Sequence, residues 1–367
     1  MTSAHLSEII SDKSVVVVAG SGGVGKTTVS ASLGLAASQH IDGDVLVLTI
    51  DPARRLASAL GIDIDGNEAV PVPVNGESSN FYAAMLDPGP AWDAMVRAEA
   101  TPEVAERIFE NRVYRKIADT FVHGNDYAAL GWLEEAMTSG KYDLIIVDTP
   151  PSQNALDFFD APQRVAEFFG SPLLSWLTGG DGSLVSGAAA KSFGSLADRL
   201  LGSEFFADVV EFFQLMSTVV PGMVQRTSAV ASQFAGSDAA FLAVASPSED
   251  LESRLARLAD SLEQRDLTFD ALVINGVEPD VFAEPKTQDV AARVVAREKS
   301  PLSKTKTELL APGAEYVLER SKVAQNQREV IARLPADAVA TIPRLVHSPT
   351  TTDALLDLGV TLWGEAS

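Results

Sequence analysis

The sequence predicts an α/β fold in which a mostly parallel sheet is covered by helices on both faces. Short runs rich in Val, Ile, Leu and Ala recur along the chain, with helix-like stretches between them. Several runs end in polar or turn residues, at the strand ends where ligands collect in parallel sheets. With 367 residues, 46% of them hydrophobic, the chain is long enough for two domains or for one enlarged α/β domain.

The candidate buried strands can be placed one by one along the chain. In order they are Val15–Ala19, Val45–Ile50, Phe81–Leu86, Leu144–Val147, Phe241–Ala245, Leu272–Ile274 and Val339–Ile342. Short apolar runs bounded by turn residues are typical of strands that are buried on both faces. The residues that follow these runs are therefore the first candidates for a functional site.

A phosphate-binding loop follows the first strand. Its residues are Gly20-Ser21-Gly22-Gly23-Val24-Gly25-Lys26-Thr27-Thr28, which match G-x-x-x-x-G-K-[ST], and a helix over about Thr27–Ser38 comes next. Glycines let successive N–H groups point at one anion, and the helix adds its positive N-terminal end. Lys26 can then reach the β- and γ-phosphates, and the Thr27 hydroxyl can ligate Mg²⁺. A glycine-rich turn without a ligand is the alternative, which the Lys-Thr pair and both flanks disfavour.

Two aspartates follow predicted strands. Asp51 is placed to orient or deprotonate the water that attacks the γ-phosphate, but Asp followed by Pro52 is equally an ordinary helix start. Asp148 ends the apolar run 142–148 and is placed to hold Mg²⁺ through a water molecule. A carboxylate that only caps a loop is the alternative for Asp148.

Two further features stand at strand ends. Thr149–Ser152 contains two prolines, which make it either a stiff segment that moves with the γ-phosphate or merely a rigid turn. Asn275 follows the run Leu272–Ile274 and offers an amide that can pair with an adenine edge. An asparagine at a strand end is also common in turns.

Composition argues against several classes of function. The net charge of −22 disfavours a nucleic-acid groove or an anionic membrane surface. The absence of cysteine removes disulfides, Cys-zinc sites, thiolate metalloid sites and thiol redox catalysis. The amino terminus has no basic segment followed by an apolar one, and no apolar run reaches the length of a membrane span. We therefore expect a cytoplasmic protein without a direct membrane span.

Helical stretches outside the sheet pattern predict a subdomain. We expect an N-terminal extension over 1–13, an ATPase core over 14–161 and 235–367, and a helical insert over 162–234 with helices 90–135 alongside. One helical face of the insert consists of Phe205, Val209, Phe212, Phe213, Met216 and Val220. This face is either hydrophobic core or a groove for an apolar client, and full burial of its phenylalanines would indicate core.

Four motifs occur together in one order: the phosphate loop, Thr49–Ala53, Tyr142–Pro151 and Val273–Asn275. Jointly they resemble the arsenite-transport ATPase family (ArsA-like), which includes the ATPase that guides tail-anchored membrane proteins. This family belongs to the wider set of dimeric P-loop ATPases that also holds the ParA/MinD partitioning proteins and nitrogenase iron protein. Within it, the chain most resembles the actinobacterial paired subunit that lacks the signature lysine.

The resemblance implies ATP and Mg²⁺ as cofactors of a dimeric P-loop NTPase. By resemblance, Lys26 and Thr27 bind phosphate and Mg²⁺, Asp51 positions the water, Asp148 supports Mg²⁺ and Asn275 reads adenine. Two movable switches are implied over Asp51–Leu56 and Asp148–Asn154. The insert lies where the family builds its client-binding or transport-coupling subdomain.

The chain departs from the family in three ways. Ser21 stands where the family usually carries a lysine that reaches the phosphates of the partner subunit. We therefore expect a heterodimer with a lysine-bearing paralogue, unless Arg54 or Arg55 supplies the missing charge. The absent cysteines exclude thiolate capture of arsenite and cysteine-held zinc. A count of six methionines disfavours the flexible surface that suits varied hydrophobic clients.

The predicted function is an ATP-hydrolysing dimeric switch that couples nucleotide state to binding of a hydrophobic client or a membrane-protein partner. The alternative is a low-turnover nucleotide-binding regulatory subunit of the heterodimer. A partitioning ATPase that acts on DNA or membranes is disfavoured, because the tail 355–365 carries acidic residues and no Lys or Arg.

Overall fold

An eight-stranded sheet forms the centre of the protein. The structure, a computed structural model, describes residues 6–364 except 51–53, 65, 75–78, 115, 117–123, 151–155, 173, 175–202, 299–303 and 335–338. The strands are β1 (Val15–Ala19), β2 (Val45–Thr49), β3 (Val70–Pro71), β4 (Phe81–Met85), β5 (Leu144–Asp148), β6 (Ala239–Ala245), β7 (Ala271–Val277) and β8 (Val339–Pro343).

The strand order is β3-β4-β2-β5-β1-β6-β7-β8, and all neighbours are parallel except β3, which is antiparallel to β4. This confirms the predicted α/β fold with a mostly parallel sheet. The edge strand β3 was not predicted, because two residues that include Pro71 carry no strand pattern. Proline has no N–H to donate and is accepted at a sheet edge.

Helices cover both faces of the sheet. They are α1 (Ser7–Ile10), α2 (Lys26–His40), α3 (Arg55–Leu60), α4 (Pro88–Glu99), α5 (Pro102–Glu110), α6 (Gly124–Thr138), α7 (Ala161–Phe169), α8 (Ser203–Gln233), α9 (Leu251–Glu263), α10 (Asp280–Ala283), α11 (Pro285–Glu298), α12 (Lys304–Ile331) and α13 (Thr352–Trp363), with a 3₁₀ helix at Asp157–Asp160. Side chains cap several of them at the first turn: Asp87 accepts from the Gly89 N–H, and Thr101 from the Val104 N–H.

The helix α2, which follows the phosphate loop, packs against the sheet on one side and against α13 on the other. Most residues of α2 from Lys26 to Ser38 are buried, because α2 lies between the sheet and α13. Leu355 and Leu362 of α13 belong to the same hydrophobic cluster as Leu33 of α2. The N-terminal end of α2 therefore has a fixed position relative to the sheet.

Side chains alternate between two hydrophobic cores. Val16 and Val18 of β1 face the cluster that contains α2 and α13, whereas Val15 and Val17 face a second cluster. The second cluster is completed by α4, α6 and the long helix α8. This alternation explains why the strands read as continuous apolar runs, since both faces are buried.

The aromatic face of α8 is mostly core. Phe212 is 2% exposed and Phe213 is 8% exposed, and both belong to the cluster under the sheet. Phe205 is partly buried against the same cluster. The burial of Phe212 and Phe213 favours the core alternative for this face, while Phe205 retains some exposure.

Within the described residues, one helix, Glu204–Gln233 in α8, is long and apolar enough to cross a membrane by length and composition. The sequence prediction missed it, because Glu211 and Arg226 interrupt any continuous apolar run. Arg107 Nη2 lies 2.6 Å from Glu211 Oε1, and Arg226 Nη1 lies 3.3 Å from Glu99 Oε1. The apolar window of this helix is 33% buried, and the helix packs into the cluster under the sheet with ion pairs to α4 and α5.

Candidate functional site

The phosphate loop connects β1 to α2 at the centre of the sheet. β1 lies between β5 and β6, with Val18 opposite Asp148 and Ala19 opposite Ala243. The carboxyl ends of three strands therefore meet around the loop. Gly25 caps α2 with a φ of 95°, in the left-handed region that glycine adopts without strain.

Lys26 turns back over the loop that precedes it. Its side chain is buried, and Nζ donates hydrogen bonds to Gly20 O over 3.0 Å and to Ser21 O over 3.2 Å. A buried ammonium requires acceptors, and these two carbonyls supply them. The ammonium is thus held at the position where the terminal phosphates of a bound nucleotide would supply further acceptors.

Thr27 and Asp148, the two predicted metal ligands, lie within hydrogen-bonding distance of each other. Thr27 Oγ1 donates to Asp148 Oδ2 over 2.7 Å, and Thr49 Oγ1 donates to the same oxygen over 3.1 Å. Asp148 is completely buried at the end of β5. A hydroxyl and a carboxylate are oxygen ligands that suit Mg²⁺, which takes its remaining ligands from water and from phosphate. The donor set therefore fits Mg²⁺ bound together with a nucleotide.

Within the described residues, no group of three or more His, Asp or Glu side chains could hold a metal ion by itself. Thr49 was not predicted as part of this site. Its contact with Asp148 depends on the pairing of β2 with β5 and leaves no signal in the sequence.

Asn275 contacts the phosphate loop directly. Its Nδ2 donates to Val24 O over 2.8 Å, and a Cβ placed on Gly25 would lie 2.2 Å from Nδ2. The side chain therefore braces the loop from the end region of β7, a contact that the sequence did not predict. The role of Asn275 in reading adenine stays a prediction.

Replacing Asn275 with alanine distinguishes the two roles. We expect about fivefold weaker nucleotide binding, because one hydrogen bond to the loop is lost. If the side chain only braces the loop, the affinity falls equally for Mg-ATP and Mg-GTP in calorimetric titrations. A fall for ATP alone would indicate adenine recognition, and unchanged binding of both nucleotides would contradict both roles.

Asp51 lies outside the described residues, as do residues 52–53 of the first predicted switch and residues 151–154 of the second. The flanking residues are anchored to the site. Ile50 N donates to Asp148 O over 3.1 Å, and Thr149 Oγ1 donates to Val18 O over 2.8 Å. The first predicted switch therefore follows a residue that is bonded to the backbone of Asp148, and the second predicted switch begins at Asp148 itself.

Arg254 is a residue of this site that sequence reasoning missed. Its Nη1 donates to Ser21 Oγ over 3.2 Å, across 233 positions of sequence. The predicted substitutes for the missing lysine were Arg54 and Arg55, which are exposed at the beginning of α3. No sequence signal could have indicated Arg254, because its contact with Ser21 depends on the position of β6 beside β1.

Comparison with known proteins decides the family. Residues 13–304 match the sequence profile of the anion-transporting ATPases (ArsA_ATPase). The chain belongs to this family. The match spans the phosphate loop, Asp51, Asp148 and Asn275, and it confirms the resemblance that the four motifs indicated.

Curated proteins similar to this chain include proteins that are named as ATPases. The ATPase ARSA2 of Chlamydomonas reinhardtii is 27% identical over 64% of this chain and 60% of its own length. The ATPase get3 of Sclerotinia sclerotiorum is 29% identical over 54% of this chain and 58% of its own. A ParA family protein of Chlamydia pneumoniae is 30% identical over 38% of this chain and 51% of its own. The matched part thus spans about half to three fifths of these relatives.

Proposed function

We propose that this chain binds Mg-ATP in the loop 20–28, hydrolyses it, and uses the change of nucleotide to switch the binding of a partner protein. The juxtaposition of Lys26, Thr27 and Asp148 carries this proposal. A buried ammonium, a hydroxyl and a buried carboxylate surround the end of a glycine-rich loop at the start of a helix. Membership in a family of ATPases supports ATP as the nucleotide.

Each side chain has a distinct role in this proposal. Lys26 binds the β- and γ-phosphates, and the Thr27 hydroxyl and Asp148 hold Mg²⁺, directly and through water respectively. When bound, Mg²⁺ neutralises charge on the phosphate oxygens. Asp51 orients the attacking water, as the family resemblance implies.

The proposed switch acts in a dimer. The family resemblance supports a dimer whose closed state contains ATP, with the helices of 162–234 as the surface for a hydrophobic client or a membrane-protein partner. In this region Phe168 of α7 is 39% exposed and contacts the rings of Phe169 and Phe213. An exposed aromatic beside a buried aromatic cluster supports a client surface at α7 rather than along the buried face of α8.

A low-turnover regulatory subunit is the second candidate, and Ser21 favours it. A hydroxyl at this position cannot place a positive charge on the phosphates of a partner subunit, and such a charge can contribute orders of magnitude in rate. In this case the partner is a paralogue that retains the lysine, and its lysine serves the nucleotide of this chain.

Single-turnover hydrolysis of Mg-ATP tests the proposed activity. We expect the purified chain to show a measurable rate that falls at least tenfold in Asp51→Asn, because the amide cannot accept a proton from water. Lys322→Ala, which removes an exposed amine on α12, should keep the parent rate. A rate that is absent in the chain alone and restored by a lysine-bearing paralogue would support the regulatory subunit. Absence of both rate and Mg-ATP binding would contradict the proposal.

A further inference from the structure

The guanidinium of Arg254 lies beside Ser21, the second residue of the phosphate loop. Arg254 Nη1 donates to Ser21 Oγ over 3.2 Å, while Lys26 Nζ donates to the backbone oxygen of the same residue. Two cations therefore converge on one loop residue from different parts of the chain.

The fold brings Arg254 to the loop through β6. This strand is the neighbour of β1, and a Cβ on Gly20 would lie 2.2 Å from Val244 O, so the loop begins in contact with β6. The helix α9 begins at Leu251, shortly after β6 ends, and Arg254 lies in its first turn. The position of the guanidinium thus follows from the backbone of the central sheet.

Hydrogen bonds orient the guanidinium toward the loop. Arg254 Nε donates to Asp250 Oδ2 over 2.6 Å, and Ser248 Oγ donates to Asp250 Oδ1 over 2.6 Å. The hydrogen bonds from Ser248 and from Arg254 lower the pKa of Asp250 below its ordinary value, because they stabilise the carboxylate form. A guanidinium carries five donors, and the bonds to Asp250 and Ser21 use two of them. The side chain is 41% exposed, so that a ligand can reach the other donors from solvent.

We propose that Arg254 contacts the terminal phosphate of ATP bound in the loop 20–28, and that Asp250 orients it there. The chain thereby places a positive charge beside Ser21 that acts on its own nucleotide, whereas the family lysine at this position reaches the nucleotide of the partner subunit. Arginine suits this role because its planar fork matches phosphate oxygens and stays charged. The inference rests on the proposed binding of Mg-ATP, and it holds whether the chain pairs with itself or with a paralogue.

The plainer explanation is a surface ion pair between positions 250 and 254 that stabilises the start of α9. Exposed pairs of this kind contribute little to stability. Loss of such a pair would also change the affinities for ATP and ADP equally, because the pair does not contact the terminal phosphate. The ratio of the two affinities therefore separates a phosphate contact from a structural pair.

Calorimetric titration of the full chain with Mg-ATP and Mg-ADP tests the inference. We expect Arg254→Ala to weaken Mg-ATP binding about tenfold and Mg-ADP binding much less, because a charge-assisted hydrogen bond to the terminal phosphate is lost. Arg257→Ala, which removes an exposed arginine one turn further along α9, should leave both affinities unchanged. Arg254→Lys should recover part of the preference for ATP, since it retains the charge without the fork.

The outcomes separate this inference from the proposed function. Mg-ATP binding in Arg254→Ala equal to the parent, or an equal loss for ATP and ADP, would overturn the role of Arg254 and leave nucleotide binding intact. A parent chain that binds no Mg-ATP would overturn both. Should Arg254→Ala fail to fold, Arg254→Lys and Asp250→Asn take its place. A lowered ratio of ATP to ADP affinity in these variants would support the contact, and an unchanged ratio would refute it.

Discussion

Replacing Lys26 with alanine is expected to weaken Mg-ATP binding about a thousandfold, since more than one charge-assisted hydrogen bond to phosphate is lost. The ammonium is buried at the start of α2 and bonded to two loop carbonyls, so the substitution removes a positive charge from within the loop. Calorimetric titration measures the loss. Lys322→Ala on α12 is the matched control and should bind as the parent does.

The stability of the Lys26→Ala variant without nucleotide should change little. Its lost hydrogen bonds to Gly20 O and Ser21 O are offset by relief from burying a charged ammonium. Thermal unfolding with and without Mg-ATP checks this. The parent should gain stability from the nucleotide, and the variant should not. A variant that binds Mg-ATP with the affinity of the parent would remove the loop as the nucleotide site.

Replacing Asp148 with asparagine is expected to abolish the effect of Mg²⁺ on ATP binding, with a loss of about a hundredfold in affinity when Mg²⁺ is present. The amide keeps the size of the carboxylate and can still accept from Thr27 Oγ1 or Thr49 Oγ1. It lacks the negative charge that holds the cation. The variant therefore removes one charge from a fully buried position without opening a cavity.

Without Mg²⁺, the same substitution is expected to have the opposite effect on ATP affinity. In excess chelator, Asp148→Asn should bind ATP at least as well as the parent, because one negative charge near the triphosphate is gone. The control is Asp143→Asn, which changes an exposed carboxylate just before the other end of β5 and should leave the Mg²⁺ dependence intact. Equal Mg²⁺ dependence in Asp148→Asn and the parent would contradict a metal role for Asp148.

The sheet could be predicted well from the sequence because its strands are buried on both faces. Val15–Ala19 was predicted with the bounds that the structure has. At the other predicted strands one or both ends differ by one to three residues, as in β7, which runs on through Asn275 to Val277. Ladder pairing with β8 decides where β7 ends, and hydropathy does not report that pairing.

For the long helix α8, composition does not determine whether the apolar face is core or a binding surface. Its amphipathic aromatic face fits both a core helix and a client groove, because the same apolar side chains serve either. The burial of Phe212 and Phe213 under the sheet favours the core alternative, and the exposed ring of Phe168 on α7 is the better candidate for a client surface. Burial is a property of the packed chain and not of the helix.

The contacts of Asn275 and Arg254 show the same limit at the site. Asn275 and Arg254 contact the phosphate loop over 251 and 233 positions of sequence, respectively. Asn275 lies in β7 and Arg254 follows β6, and these strands come near the loop only in the folded sheet. The strand order places β6 beside β1 and β7 beside β6. A different order of the same strands would have left the motif intact and removed these contacts.

The sequence by itself determined that a phosphate loop with Lys26 and Thr27 stands between a buried strand and a helix, because backbone conformation over a short motif depends mainly on near neighbours. Tertiary structure alone decided which side chains surround that loop. Thr49, Arg254 and the bracing contact of Asn275 come from strand pairing and packing, which join residues that no local pattern connects.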